Sequence, residues 1–370
     1  MIHTLKRSSL RALKHLGVGH LVASSVWRRS RLLILCYHGV AMDNEHEWCP
    51  GLHVSAEHLE RRLELIQRHR CRVLSLDDAV ARLYAGTLPD RSVVLTFDDG
   101  YYDFKARAWP LLRKYGFPAT VYVTTGRVDH NLPNVNLFIS YAIWSSPLKR
   151  FDGRGLPGLD GDYDFTTAAE RHRVAQRIVQ ALQAQGWVEH RHDQLPRRDE
   201  VARLVTERAG LDYHALLERR TLTLMRPEEL RELGREGVDF QLHTHVHRTP
   251  ADPEEFLRDV MLNRERLEAM TGTSPIHLCY PSGNYRPGYL PVLRRYGIRS
   301  ATTCDPGLAT CASDPLLLPR FVDTGGVSSI VFEAWLTGMA ACLPRRTTRG
   351  GDRVPSATVQ LGRQSNVLSS

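Results

Sequence analysis

Two adjacent aspartates, Asp98 and Asp99, are the residues whose type and spacing most directly indicate chemistry in this sequence. They follow the apolar, β-branched run 93–97 and precede Gly100. Burying two carboxylates side by side is costly unless a cation or hydrogen-bond donors compensate their charge. The pattern therefore indicates metal binding or acid–base catalysis at a strand end, with a simple helix-capping turn as the alternative.

Three histidines, His243, His245 and His247, alternate along a second short segment. They follow the apolar residue Leu242 and precede a helix expected to begin at Pro253. Neutral imidazoles at a strand end, completed by a carboxylate, suit a divalent cation. A curled backbone would bring His243 and His247 together, whereas an extended one would pair His243 with His245. Both geometries stay open, as does a group of surface histidines that binds no metal.

Short apolar runs alternate with helical patterns from residue 31 onward, and this alternation predicts an α/β fold with parallel strands. Strands are expected at 32–37, 93–97, 119–124, 238–242, 276–280 and 299–303. Helices are expected at 55–71, 227–237 and 253–272, the last capped by Asp252. In a barrel of such units the active site is built at the C-terminal ends of the strands. Asp98 and His243 would then meet at one edge.

Residues from about 127 to 220 interrupt the alternation with an aromatic patch, a Gly- and Asp-rich loop and further helical patterns. Thr167 and Glu170 form a capping-box pattern at the start of one of those helices. We predict a catalytic domain over 31–343 in which 127–220 is a helical insertion. The insertion either covers one side of the groove or lies away from it. Residues 1–30 are predicted to be a basic arm and 344–370 a disordered tail.

Together these segments resemble the polysaccharide deacetylase, or NodB-homology, family, whose first two motifs are T-F-D-D-G and H-[ST]-x-x-H. The first motif matches the stretch that ends at Gly100, and the second begins at His243. The resemblance implies a distorted (β/α) barrel of the NodB type. It also implies that Asp98 is the general base. Asp99, His243 and His247 would hold a divalent metal, most often Zn²⁺, with Co²⁺ or Ni²⁺ as alternatives.

The family's third motif, R-x-P-Y-G, corresponds here to the stretch C-Y-P-S-G that begins at Cys279. Cys279 thus stands where the family has the arginine that orients the base. The resemblance implies that Tyr280, Pro281 and Ser282 contact the substrate, with the backbone N–H of Ser282 facing the oxyanion. Arg286, a few residues further along the same loop, is one candidate to replace the missing arginine.

The family's late Leu-x-His motif, which supplies the general acid, has no counterpart, because no histidine follows His277. His38 instead ends the first predicted strand. This order resembles a circularly permuted branch of the family that includes deacetylases of biofilm poly-N-acetylglucosamine. The resemblance implies that His38 is the general acid, and a histidine merely packed at a strand end is the alternative. Asp323, beyond a late strand, either orients His38 or forms a surface salt bridge.

The charge is unevenly distributed along a chain whose formal net charge is +8, since no Asp or Glu precedes Asp43. This basic start predicts peripheral association with an anionic membrane surface, with a signal peptide or a solvated helix as alternatives. Apolar runs are shorter than the roughly 20 residues of a membrane-spanning helix. No aromatic-basic module indicates nucleic-acid binding. Seven cysteines without metal-finger spacing indicate free thiols in a reducing compartment.

The resemblance implies metal-dependent removal of N-acetyl groups from N-acetylhexosamine units of a polysaccharide or of its lipid-linked precursor. Hydrolysis of another C–N amide or of an O-acetyl ester on the same fold is the first alternative. A glycan-binding relative without activity is the second. The expected partners are an N-acetylated glycan or a lipid-linked sugar. The expected location is the cytoplasm or the inner face of the membrane, and export is an open alternative.

Overall fold

Short strands rich in branched apolar side chains form the centre of this protein, for which we describe a computed structural model. The structure describes residues 10, 13, 17–128, 133–185 and 195–342. Its strands are β1 (Leu33–Tyr37), β2 (Gly39–Val40), β3 (His53–Val54), β4 (Arg72–Val73), β5 (Ser92–Phe97), β6 (Thr120–Val123), β7 (Arg150–Asp152), β8 (Asp162–Asp164), β9 (Asp239–Leu242), β10 (His277–Cys279), β11 (Ser300–Thr302) and β12 (Phe321–Val322). The six predicted strands are confirmed with ends shifted by no more than about a residue.

The main sheet of the described chain has eight parallel strands in the order β11-β10-β9-β6-β5-β1-β12, with β4 also paired to β5. The short segment from Leu318 to Phe321 connects the two edges of the sheet. Leu318 forms a bridge with Thr302 of β11, and Phe321 of β12 pairs with Leu35 of β1. The sheet is therefore curled into the distorted barrel that the sequence predicts. Strand β1 comes first in the chain yet lies between β5 and β12, as the permuted order requires.

The central strands are buried on both faces, which explains why they read as continuous apolar runs rather than alternating ones. On one face of the sheet, side chains such as Leu35 and Leu95 pack in the main core with the surrounding helices. On the other face, Ile34, Val94 and Tyr122 form a second cluster. The strands are thus fixed in register, and so are the residues that follow their C-terminal ends.

Helices surround this sheet, and their ends follow the capping signals in the sequence. The α-helices are α1 (Val18–Ser24), α2 (Val26–Arg29), α3 (Glu45–Trp48), α4 (Ala56–Arg68), α5 (Leu76–Ala85), α6 (Trp109–Tyr115), α7 (Val135–Ser145), α8 (Ala168–Ala184), α9 (Leu195–Arg208), α10 (Tyr213–Glu218), α11 (Pro227–Arg235), α12 (Pro253–Thr271), α13 (Tyr289–Arg295) and α14 (Ser329–Thr337). The predicted N-cap Asp252 accepts hydrogen bonds from the backbone N–H groups of Glu254 and Glu255. Thr167 likewise caps α8.

The predicted insertion lies between β6 and β9 and comprises α7 to α10 together with the antiparallel hairpin β7–β8. It has an apolar cluster of its own that includes Phe138, Phe151 and Phe165. The hairpin was not predicted, because its two three-residue strands lie in a stretch dominated by Gly and Asp. Beside the insertion, the carbonyl of Thr223 accepts a hydrogen bond from the N–H of Tyr102, close to the first motif.

The described part of the N-terminal segment packs on the body of the protein rather than extending as a separate arm. Gly19 approaches Met339, and the guanidinium of Arg28 is fully buried, where it donates to the carbonyls of Leu336 and Arg31. Arg28 is therefore part of the core and does not contribute to a basic surface, which corrects the prediction. Most of residues 1–16 and the predicted tail 344–370 lie outside the described residues. Within the described ranges, no helix is long and apolar enough to cross a membrane.

Candidate metal and acid–base site

A tight turn at the end of β5 carries Asp98 and Asp99. Asp99 has a φ of 73° and Gly100 a φ of 84°, both in the left-handed region. A Cβ at position 100 would also lie 3.1 Å from a methyl carbon of Val123, so the turn requires glycine there. A non-glycine residue with positive φ stores strain, and such residues concentrate at functional sites. The turn therefore separates the two aspartate side chains and gives them different partners.

The segment after β9 curls as one of the two predicted geometries requires, since Thr244 and His247 also have positive φ values of 64° and 53°. Nε2 of His243 lies 3.2 Å from Oδ1 of Asp99, and Nε2 of His247 lies 3.3 Å from the same oxygen. His245 points elsewhere, with its Nδ1 3.0 Å from the hydroxyl of Thr125. The structure thus brings together the three predicted metal ligands and leaves His245 outside the group.

The surroundings of these three residues fit a divalent cation. Their ligand atoms lie within 4.8 Å of one another. Nδ1 of His243 is 2.8 Å from the carbonyl oxygen of Cys279, which fixes the ring and leaves Nε2 as the ligating atom. Burial raises the pKa of Asp99, but the opposing effect of His243 and His247 is larger. The pKa therefore lies below its usual value, and the carboxyl is ionised. Two imidazoles and one carboxylate are a common set of protein ligands for catalytic zinc.

Asp98 has a different partner, the fully buried guanidinium of Arg320, which lies just before β12. The pair is bidentate, with N–O distances of 2.7 and 2.8 Å to Oδ1 and Oδ2. Burial raises the pKa of Asp98, and the charge and hydrogen bonds of Arg320 more than reverse this, so that the pKa lies well below its usual value. Asp98 is therefore held as a carboxylate in a fixed orientation.

Arg320 supplies the arginine that the third motif lacks, and the suggestion that Arg286 does so is wrong. Arg286 instead hydrogen-bonds with Tyr289. Arg320 lies 41 residues after Cys279, with its Nη2 3.0 Å from the Cys279 sulfur. Sequence reasoning missed it because it belongs to no local motif, and only the pairing of β12 with β1 brings it beside β5.

His38 follows β1 directly and lies beside Asp98, as the permuted order predicts. Its Nε2 is 3.9 Å from Oδ2 of Asp98, and its side chain is 19% exposed. One small group placed between the two side chains can therefore hydrogen-bond to both. A histidine at a strand end with this exposure is placed to exchange protons with a ligand in the groove.

Asp323 is neither a surface salt bridge nor a contact of His38, so both predictions for it are wrong. It is buried, and its carboxylate accepts hydrogen bonds from Arg62 at 2.8 and 3.3 Å and from the hydroxyl of Tyr37 at 3.1 Å. Tyr37 is the residue before His38. The buried Asp323–Arg62 pair thus anchors the end of β1 rather than the imidazole itself.

The three predicted substrate contacts in the third-motif loop differ in their exposure to solvent. The side chains of Tyr280 and Pro281 are buried, and the Tyr280 ring packs beside the stacked rings of Phe256 and Tyr289, with centroids 6.2 and 6.4 Å away. Tyr280 is therefore a core residue, which corrects its assignment as a substrate contact. Ser282 alone of the three is exposed, with a φ of 56° that turns the backbone at this point.

Comparison with known proteins relates this arrangement to one enzyme family. A family model described as polysaccharide deacetylase matches residues 85–301, more than half of the chain. A Bacillus subtilis protein named as a polysaccharide deacetylase, YxkH, is 29% identical over 112 residues, which cover 29% of this chain and 38% of that protein. A Staphylococcus aureus poly-β-1,6-N-acetyl-D-glucosamine N-deacetylase is 32% identical over 85 residues, covering 23% of this chain and 29% of that protein. The match thus spans well under half the length of these curated relatives.

Solved structures show the same fold. The Streptococcus pyogenes deacetylase PplD in complex with acetate superposes with a TM-score of 0.52 at 20% identity, over 80% of this chain and 94% of that one. IcaB from Ammonifex degensii gives a TM-score of 0.50 at 16% identity, over 83% of this chain and 97% of that one. At such identities the likeness concerns the fold alone. It confirms the predicted distorted barrel of the deacetylase type.

Proposed function

Because the chain belongs to the polysaccharide deacetylase family, we propose that it is a metal-dependent hydrolase that removes N-acetyl groups from N-acetylhexosamine units of a glycan. One observation carries the proposal. At a single edge of the barrel, Asp99, His243 and His247 share one metal-sized site, while Asp98 and His38 lie next to it. Amide hydrolysis needs these elements together: an electrophilic centre, a base and an acid.

A metal bound by Asp99, His243 and His247 supplies a Lewis acid for the acetyl carbonyl and lowers the pKa of water. Asp98 acts as the base, because Arg320 keeps it ionised and fixes its oxygens. His38 then donates a proton to the nitrogen of the leaving amine, from a position close to the base. The backbone N–H of Ser282 is the proposed oxyanion donor.

For the metal we propose Zn²⁺, with Co²⁺ or Ni²⁺ as functional substitutes, on the basis of the ligand chemistry. Imidazole ligands suit Zn²⁺ and other late transition metals, whereas Mg²⁺ and Ca²⁺ prefer oxygen ligands throughout. Two of the three proposed ligands are imidazoles. Dialysis against each metal and measurement of bound metal per chain would rank them, and tightest binding of Mg²⁺ would contradict the proposal.

For the substrate we propose a polymer of N-acetylglucosamine or a lipid-linked precursor of it. Support comes from the Staphylococcus aureus relative, which is named as a poly-β-1,6-N-acetyl-D-glucosamine N-deacetylase and is matched over 29% of its length. The site lies at an open edge of the barrel, where the His247 side chain is 38% exposed. Such an opening suits an N-acetyl group carried on a longer chain.

The test is acetate release from N-acetylglucosamine oligomers by the purified full chain, stripped of metal and resupplied with zinc, cobalt or nickel. We expect release that depends on metal and that is lost in an Asp98→Asn variant which still binds metal. Lipid-linked N-acetylhexosamine is the second substrate to assay. No acetate from either substrate with any metal, despite stoichiometric metal binding, would contradict the proposed activity.

We further propose that the protein acts at the inner face of the membrane. All seven cysteines are free, which suits a reducing compartment. Leu21 and Val26, near the basic start of the chain, are 70% and 78% exposed and are available to a lipid surface. Co-sedimentation with phosphatidylglycerol vesicles, weakened in a Leu21→Ser/Val26→Ser variant, would support this. Equal co-sedimentation of the protein with phosphatidylcholine vesicles would contradict an electrostatic contribution to membrane binding.

A further inference from the structure

Thiols surround the base Asp98 on the side of the barrel interior, and the proposed deacetylation has no role for them. Oδ2 of Asp98 lies 3.5 Å from the sulfur of Cys36 and 3.4 Å from the sulfur of Cys279. Both cysteines are fully buried and neither forms a disulfide. Cys36 belongs to β1 and Cys279 to β10, so the barrel itself brings them to one carboxylate.

His38 completes a set of three donors around this point. Cys36, His38 and Asp98 each offer one ligand atom, and these atoms lie within 4.8 Å of one another. Cys36 lies on β1 and His38 directly follows that strand, so the two residues are two positions apart and point to the same face of the sheet. Thiolate, imidazole and carboxylate are the ligand types that protein zinc sites use. The set shares no residue with Asp99, His243 and His247.

We propose that Cys36, His38 and Asp98 form a second metal site, which binds a thiophilic divalent cation such as Zn²⁺, Co²⁺ or Cd²⁺. On binding, the thiol of Cys36 releases its proton to solvent and its sulfur becomes a ligand. The cation enters from the side of His38, because His38 is the least buried member of the set, with its side chain 19% exposed.

Occupancy of this second site engages the base and the acid at once. This consequence rests on the proposed function, in which Asp98 accepts a proton and His38 donates one. Metal in excess of the first equivalent is therefore inhibitory. The buried guanidinium of Arg320 already binds both oxygens of Asp98 and repels a cation. The second equivalent consequently binds more weakly than the first.

Cobalt titration of the metal-free full chain separates the two sites without measuring activity. The Asp99–His243–His247 site contains no sulfur, so the first Co²⁺ equivalent gives only ligand-field bands. The second equivalent is expected to add a near-ultraviolet thiolate-to-cobalt charge-transfer band. This band is lost in Cys36→Ser and retained in Cys311→Ser, the matched control in which an exposed thiol is removed.

Saturation at one equivalent without a charge-transfer band would overturn the second site, as would a band that survives in Cys36→Ser. X-ray absorption of the wild-type chain with two equivalents of zinc needs no variant and must show sulfur in the zinc shell. The inhibitory consequence is checked separately by acetate release against zinc concentration. A chain with the cobalt band but no deacetylase activity would refute the proposed function and leave the second site standing.

Discussion

Two clusters of histidine and aspartate lie at opposite ends of the same barrel, and their imidazoles differ in the partners that they have. At the N-terminal end, His277 begins β10, with Nδ1 2.8 Å from the hydroxyl of Ser300 and Nε2 3.2 Å from Asp77. At the C-terminal end, His243 follows β9, with Nδ1 on a main-chain carbonyl and Nε2 facing Asp99. The residue types alone do not distinguish the two ends.

The difference lies in what each imidazole has left to bind. Both nitrogens of His277 have protein partners, and Ser300 is fully buried, so this Ser-His-Asp row is closed to substrate. At the other end, His243 and His247 converge on the same oxygen of Asp99, an arrangement that a cation between them would satisfy. Strand polarity agrees, because barrel active sites lie at the C-terminal ends and stabilising contacts at the other.

The largest contrast is expected from removing one histidine at each end. His243→Ala should lower zinc affinity by more than about 100-fold, beyond the usual cost of losing a residue that only supports a ligand. Acetate release should fall with it. His277→Ala should keep both properties near wild type. Bound metal per chain and acetate release check this, and equal metal loss in the two variants would undo the comparison.

A loss confined to the reaction, with metal content unchanged, is expected when His38 is changed and the metal ligands are kept. His38→Gln should reduce deacetylation of an N-acetylated oligomer by about 10²–10⁴-fold, the range for losing a general acid or base. An aryl acetate, whose leaving group needs no proton, should be hydrolysed at nearly the wild-type rate. Similar losses on both substrates, at unchanged metal content, would mean that His38 has another role.

The ion pairs at the two ends should differ in what they contribute to stability. Arg320→Met leaves Asp98 as a buried, unpaired carboxylate and should cost about 3–5 kcal/mol of unfolding free energy. Arg299→Met, at the opposite end, removes a pair whose side chains are 53% and 54% exposed, and should cost less than about 1 kcal/mol. Urea denaturation measures both. An Arg320→Met variant as stable as Arg299→Met would refute the buried pair as a structural element.

The smallest effect concerns pH and the N-terminal cluster. Burial lowers the pKa of His277, with Asp239 and Asp77 opposing and Arg299 assisting, so the folded state binds this proton less readily than the unfolded one. Its contribution to stability is therefore complete above the unfolded pKa of about 6.5 and is lost as pH falls. His277→Gln should flatten the unfolding free energy against pH by up to about 1.4 kcal/mol per unit. An unchanged slope below pH 6.5 would contradict this.

The sequence predicts those parts of the site that lie in short, contiguous motifs. Asp98, Asp99, His243 and His247 stand in short motifs at strand ends, and strand ends follow from apolar runs and glycines. Arg320 was missed and Asp323 misplaced, because their partners are fixed by which strands pair across the barrel. Tyr280 was assigned to the substrate because the direction of a side chain in an irregular loop depends on packing, here against Phe256.

We propose that the C-terminal edge, and specifically Asp99, His243 and His247, holds the metal of the reaction. The most direct test is anomalous diffraction at the zinc edge from crystals of the full chain loaded with one equivalent of zinc. One strong peak is expected between Oδ1 of Asp99 and the Nε2 atoms of His243 and His247. A peak at Asp77 and His277, or no ordered zinc at the C-terminal edge, would contradict it.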